Sequence, residues 1–237
     1  MTPAARGLFI AGTDTGCGKS FVTATIAASL ATSGTPVSVR KPLLTGLDEP
    51  STPANPLDHE LLAMASGEPN PKVVSPIRFG PPMSPHLAAE KAGEEIDLAS
   101  IASGLKEEMS TVPERVMLVE GIGGLLVPIT RTSSVADLAV ELGLPLIIAA
   151  RPGLGTINHC LLTLEAARSR GLEVKAVVFS QWPGDPSEIQ LDNRKTVEEL
   201  GNVKVMTVPH LAELTQDAFA KAAAGIDLGA LTSPSVR

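Results

Sequence analysis

Gly12 to Ser20, GTDTGCGKS, sets glycines, a lysine and a hydroxyl between a short apolar run and a segment with helical periodicity. A glycine-rich turn ending in Gly-Lys-Ser at a strand–helix junction surrounds phosphates with backbone N–H groups. It directs its lysine to the β- and γ-phosphates and its hydroxyl to Mg²⁺. The free N–H groups and dipole at the start of the following helix favour the same polyphosphate. Gly12 stands one residue further back than the first glycine of the standard G-x-x-x-x-G-K-[ST] spacing, and Thr13 occupies that place. Lys19 is therefore expected on the phosphates of a solvent-open site and Ser20 on Mg²⁺. Thr15, Gly16, Cys17, Gly18 and Phe21 are expected around a bound nucleoside triphosphate. Cys17 has no flanking base and reads as a filler of the loop, not a nucleophile.

Mg²⁺ takes oxygen ligands, commonly one or two carboxylates completed by water and phosphate. Glu120 ends the apolar run Val116–Val119 and leads into Gly121-Ile122-Gly123-Gly124, which presents its carboxylate at a strand end beside unhindered backbone. Asp58 opens the helical segment PLDHELLA, where it is either the N-cap or a second metal carboxylate. Lys41, in RKPLLTG, is either a surface lysine or the second cation that phosphoryl transfer sets against developing charge. Thr45-Gly46 adds a hydroxyl and open backbone beside it. LGTINH, Leu154–His159, starts a helix after a strand. The N–H groups of Thr156, Ile157 and Asn158 there either hold a carboxylate or are simply capped by Thr156. His59, His86 and His159 show no metal-ligand spacing and read as surface or supporting groups. Trp182 reads as a packing residue in a loop that borders the nucleotide base.

The elements that must position these residues are legible as runs. Leu8–Ala11, Val37–Val39, Val116–Val119, Pro145–Ala150 and Val174–Phe179 are short β-rich runs without alternation, as strands covered on both faces are, and Val203–Thr207 adds one more. Lys19–Ala31, Leu57–Ala65, Leu98–Met109, Thr156–Arg170 and Ser187–Leu200 read as helices between them. The alternation predicts an α/β fold with a doubly wound, mostly parallel sheet of the P-loop NTPase type in three α/β/α layers. The Pro- and Gly-rich stretches Leu47–Pro56 and Phe79–Pro85 fall after strand ends, where ligand loops lie.

A chain of 237 residues, 43% hydrophobic and without repeats or a linker, reads as a single domain over residues 1–237. A net charge of −7 and a pI near 5.1 argue against a nucleic-acid partner. No apolar run approaches the roughly 20 residues that cross a bilayer, so no membrane partner is expected. Two cysteines, Cys17 and Cys160, without a signal segment point to a reduced, cytoplasmic setting.

In order along the chain, GTDTGCGKS, RKPLLTG, PLDHELL, PMSPHLAA, VEGIGGLLVP and LGTINHCLLT resemble the motifs of dethiobiotin synthetase, the ATP-dependent carboxylase-cyclase family of biotin synthesis. Any one motif is modest; together they are specific and span nearly the whole chain. The resemblance implies Lys19 on ATP, Ser20, Asp58 and Glu120 around Mg²⁺, Lys41 as the catalytic lysine and Thr45 near substrate. It implies Gly121, Ile122 and Gly123 beside the nucleotide, and Ser180, Gln181, Pro209, His210, Leu211 and Gln216 toward the base. It also implies that Gly155, Thr156, Ile157 and Asn158 hold the substrate carboxylate across a homodimer interface.

The family reaction joins carbon dioxide to one amine of 7,8-diaminononanoate as a carbamate, phosphorylates it from ATP and closes the ureido ring with the second amine. This chain departs from the family at three points. Gly16 replaces an acidic residue, Thr45 stands where serine is common, and Ser180-Gln181-Trp182-Pro183 lacks the asparagine many members carry near adenine. The last departure implies relaxed choice among nucleoside triphosphates. Two rivals share the fold: an amide-forming synthetase of the cobyrinic acid diamide synthase type, and a partitioning-type ATPase switch. The first carries an added glutaminase domain; the second usually carries a lysine inside the loop, where this chain has Asp14.

Overall fold

The computed structural model describes residues 7–52 and 55–232. Eight strands occur among them: β1 (Gly7–Gly12), β2 (Val37–Arg40), β3 (Leu43–Thr45), β4 (Ile77–Phe79), β5 (Val116–Glu120), β6 (Leu146–Ala150), β7 (Val174–Trp182) and β8 (Lys204–Pro209). Six form one parallel sheet in the order β2-β5-β1-β6-β7-β8, and β3 pairs with β4 in a separate two-stranded sheet. The helices are α1 (Lys19–Thr32), α2 (Asp58–Ser66), α3 (Pro71–Val74), α4 (Pro85–Ala92), α5 (Leu98–Thr111), α6 (Val135–Leu142), α7 (Thr156–Arg168), α8 (Glu188–Gly201), α9 (Gln216–Ala222) and α10 (Leu228–Thr232). This is the doubly wound α/β fold of P-loop NTPases.

The central strands are buried on both faces, which is why their sequences run apolar without alternating. Leu8 and Ile10 of β1 pack into a core with Val22 and Ile26 of α1. Phe9 and Ala11 of the same strand pack into a second core with Leu138 and Ala139 of α6. Successive side chains of one strand thus supply opposite layers.

The small β3–β4 sheet is the main feature absent from the sequence reading. Its strands have three residues each, too few to show a period. Leu47–Pro56 follows β3, apart from Pro53 and Ala54, which lie outside the described residues, and Phe79–Pro85 runs from the last residue of β4 to the first of α4, so neither stretch follows a strand of the main sheet. Trp182 closes β7 instead of standing in a loop, and its indole stacks on Phe179 with ring centroids 5.9 Å apart.

Candidate active site

Strand order explains how residues far apart in sequence meet. β5 lies between β1 and β2. Ile10 is level with Glu120, and Arg40 with Val119, so Lys41, one residue past β2, comes level with Glu120 at the same sheet edge. Arg40 anchors the end of β2 to α5 by a forked pair with Glu108, at 2.9 Å from Nε and 2.6 Å from Nη2. The Lys41 N–H donates to the Val74 carbonyl at 2.8 Å.

Glu120 is only 1% exposed, and its carboxylate accepts three hydrogen bonds. Ser20 Oγ donates at 2.8 Å, Thr23 Oγ1 at 2.5 Å and Lys41 Nζ at 2.9 Å. Lys41, 3% exposed, also donates to Asp58. Burial disfavours a charged ammonium here, but Asp58 and Glu120 outweigh it and hold Lys41 above the ordinary lysine value. Burial likewise opposes ionisation of Asp58, and the Lys41 ammonium beside it prevails, holding the carboxyl below its usual range. Lys41 is therefore no surface lysine.

Of the two readings of Asp58, the cap is excluded. The start of α2 is capped by Glu60, whose Oε2 accepts from the Leu57 N–H at 3.0 Å, which leaves the Asp58 carboxylate to Lys41. Neighbouring His59 is buried, with no hydrogen-bond partner on Nδ1, and burial lowers its pKa.

Of these groups Ser20, Lys41 and Asp58 line a cleft of about 1170 Å³, and Glu120 and Thr23 are buried behind it. Thr15, Gly16, Gly18, Lys19, Ser20 and Phe21 form one wall; Lys41, Thr45 and Asp58 form another; Ile122 and Gly123 close a third side. Lys19 departs from the open placement expected of it. It is 6% exposed and folds back on its own loop, with Nζ donating to the Asp14 carbonyl at 3.2 Å. Gly12 makes room for that, because a Cβ there would meet Cys17 Sγ at 2.7 Å and Lys19 Nζ at 2.9 Å. Cys17 is buried beneath the loop and Cys160 on α7, both as free thiols, and burial pushes the Cys160 thiol up to about 11.

The family model described as an AAA domain matches residues 6–218. The ATP-dependent dethiobiotin synthetase BioD of Anaeromyxobacter sp. (strain Fw109-5) is 38% identical over 209 residues, which cover 84% of this chain and 91% of that one. The chain belongs to the dethiobiotin synthetase family. The synthetase of the same name from Mycobacterium avium (strain 104) is 35% identical over 219 residues, covering 92% of this chain and 93% of its own. Among solved structures, the MinC:MinD cell division protein complex of Aquifex aeolicus superposes with a TM-score of 0.56 at 14% identity, over 98% of this chain and 99% of that chain. That likeness concerns the fold alone.

Several residues that the dethiobiotin synthetase resemblance assigns to the nucleotide lie elsewhere than expected. Ser180 does not line the cleft; it is 2% exposed beneath the phosphate loop, with Oγ donating to the Cys17 carbonyl at 2.7 Å. Pro209 ends β8 outside the lining, and Gln216 spends Nε2 on the Ala65 carbonyl at 3.1 Å. Gln181 and His210 to Thr215 line a further side of the cleft. Ala212, Glu213, Leu214 and Thr215 belong to PHLAELTQ, Pro209–Gln216, which resembles the family's second base-flanking segment only loosely. Gly121 packs against Val135 and Phe9, where a Cβ would meet Val135 at 2.7 Å. Gly155, Thr156, Ile157 and Asn158 are not part of the cleft of their own chain.

Proposed function

We propose that this chain catalyses the ATP- and Mg²⁺-dependent carboxylation and ring closure of 7,8-diaminononanoate with carbon dioxide, releasing dethiobiotin, ADP and phosphate. The observation that carries this reading is the meeting of Lys19, Ser20, Lys41 and Asp58 in one cleft, with Glu120 buried directly behind Ser20 and Lys41 and bonded to both, in a chain of that family.

The donor set fits Mg²⁺. A hydroxyl and two carboxylates are hard oxygen ligands, and zinc would favour nitrogen or sulfur. Asp58 is held ionised by Lys41, the state a ligand to a divalent cation needs. Among the described residues no cluster of three His, Cys, Asp or Glu stands ready to hold a metal unaided. That suits a cation shared with nucleotide phosphates. Mg²⁺ bound there would neutralise charge on the β- and γ-phosphoryl oxygens.

The chain's own residues then position and neutralise. Lys19 and the loop N–H groups hold the phosphates, and Lys41 stands where charge develops on the transferring phosphoryl group. One amine of the substrate adds to carbon dioxide and loses a proton, giving a carbamate. A carbamate oxygen attacks the γ-phosphorus and ADP leaves. The second amine attacks the carbonyl carbon and phosphate leaves, closing the ring. Thr45 orients the diamine end. Holding the second amine against the mixed anhydride makes closure effectively unimolecular, and no protein nucleophile is needed.

The reading extends to a cytoplasmic homodimer of single-domain subunits. Support comes from the Gly155–Asn158 turn, which starts α7 away from its own cleft beside Leu154, 95% exposed. The Thr156 N–H is spent on the Gly153 carbonyl at 3.2 Å, so the Ile157 and Asn158 N–H groups would hold the distant carboxylate of substrate bound to the partner subunit. Incubation with ATP, Mg²⁺, the diamine and ¹³C-bicarbonate, followed by mass spectrometry, tests the whole reading. The expected product carries ¹³C in its ureido carbonyl. ATP hydrolysis without the diamine would indicate a nucleotide switch, and amide formation without label the related synthetases.

A further inference from the structure

Ser180 sits on β7, two strands away from the phosphate loop that follows β1, with β6 between. Ala150 at the end of β6 is level with Phe179, so Ser180, one residue on, reaches across the sheet edge. Its Oγ lies 2.7 Å from the Cys17 carbonyl oxygen and 3.4 Å from that of Ala150. A hydroxyl has one proton to donate, and the shorter contact takes it.

In a planar trans peptide the C=O and N–H point in opposite directions. Pinning the Cys17 carbonyl toward β7 therefore turns the Gly18 N–H away from the sheet, toward the cleft that Gly18 lines. That N–H has no hydrogen-bond partner among the described residues. The approach is close: a Cβ on Gly18 would meet Ser180 Oγ at 2.1 Å and Ser180 Cβ at 2.4 Å. Gly18 also has φ 88°, where side chains are strained. Glycine at 18 and a small hydroxyl residue at 180 are thus one packing unit across 162 positions of sequence (180 minus 18).

We infer that Ser180 is a positioning residue for the phosphate loop: it holds the Cys17–Gly18 peptide with its N–H aimed at the nucleotide phosphates and takes no part in reading the base. This rests on the cleft being a nucleotide site, as proposed above, and not on the identity of the second substrate.

The test compares Ser180→Ala and Ser180→Thr with the parent protein by calorimetric titration of ATP, ADP and adenosine, with melting temperatures recorded for each. Loss of one neutral hydrogen bond should weaken ATP and ADP by about three- to tenfold in Ser180→Ala. Adenosine affinity and the ranking of ATP, CTP and GTP should stay unchanged, and Ser180→Thr, which keeps the hydroxyl, should bind ATP within about twofold of the parent. In turnover, KM for ATP should rise with KM for the diamine unaltered. Equal weakening of adenosine, or a changed ranking of bases, would assign Ser180 to the base and overturn the inference. So would unchanged ATP and ADP affinity in Ser180→Ala. Binding is measured without turnover, so failure of the proposed reaction, seen as no dethiobiotin from the parent protein, is a separate outcome.

Discussion

Lys41 Nζ stands 2.9 Å from the Glu120 carboxylate at the joined ends of β2 and β5, with both side chains almost wholly out of solvent. An ammonium and a carboxylate buried together depend on each other, because either one alone is an uncompensated charge. Lys41→Met should therefore lower stability in urea by about 3 kcal/mol, as well as abolish turnover. In the double variant Lys41→Met, Glu120→Gln much of the stability should return while activity stays lost. A single variant as stable as the parent would show that the pair is not coupled.

Asp58 gives the pH dependence. Its carboxyl is held below the usual range by Lys41, so its contribution to stability is present above the ordinary aspartate value and lost as pH falls through the lowered one. Melting temperature should fall as pH drops below about 4, and Asp58→Asn should flatten that part of the curve. Parallel curves for parent and variant would place the acid sensitivity elsewhere.

Lys19→Ala should keep the fold, since the side chain closes only on its own loop, yet reduce kcat/KM by about 10²- to 10³-fold, as loss of one transition-state donor does. Circular dichroism and turnover measured on the same preparation decide the matter. A variant retaining most activity would remove the phosphate assignment.

The oxygen ligands predict a metal response. Asp58→Asn and Glu120→Gln should each shift the Mg²⁺ titration of activity by about tenfold or more, the scale on which disturbed metal sites lose affinity. An unchanged titration in both would mean that other groups hold the ion.

Base choice should be relaxed. Ser180 spends its hydroxyl under the loop, and Gln181, at φ 51° and exposed, lines the cleft with an amide that offers donor and acceptor alike. ATP, CTP and GTP should support turnover within about tenfold of one another, whereas a site of buried, base-specific hydrogen bonds discriminates by about 10⁴. Exclusive use of ATP in competition would count against this.

How far the sequence could be read depended on the range of the interactions. The GTDTGCGKS loop is local: its glycine spacing and the helix that follows fix the turn, and strand–turn–helix is what the structure has from β1 to α1. The parallel sheet was legible too, because burial on both faces writes itself as uninterrupted apolar runs. Lys41, Asp58 and Glu120 were each nameable from strand and helix ends, but whether Lys41 was a surface group and Asp58 a cap was not. Strand order decided that, by setting β2 beside β5, and electrostatics did the rest once both carboxylates faced one ammonium. Ser180 shows the same limit from the other side. Its place in the sequence pointed toward the base, and only the sheet, by putting β7 one strand from β6 and two from the loop, turned its hydroxyl to the Cys17 carbonyl. Sequence patterns record what neighbours within a turn or a strand require. Contacts between residues a hundred positions apart, as between Ser20 and Glu120, exist only after the strands have been ordered, and no local pattern carries that order.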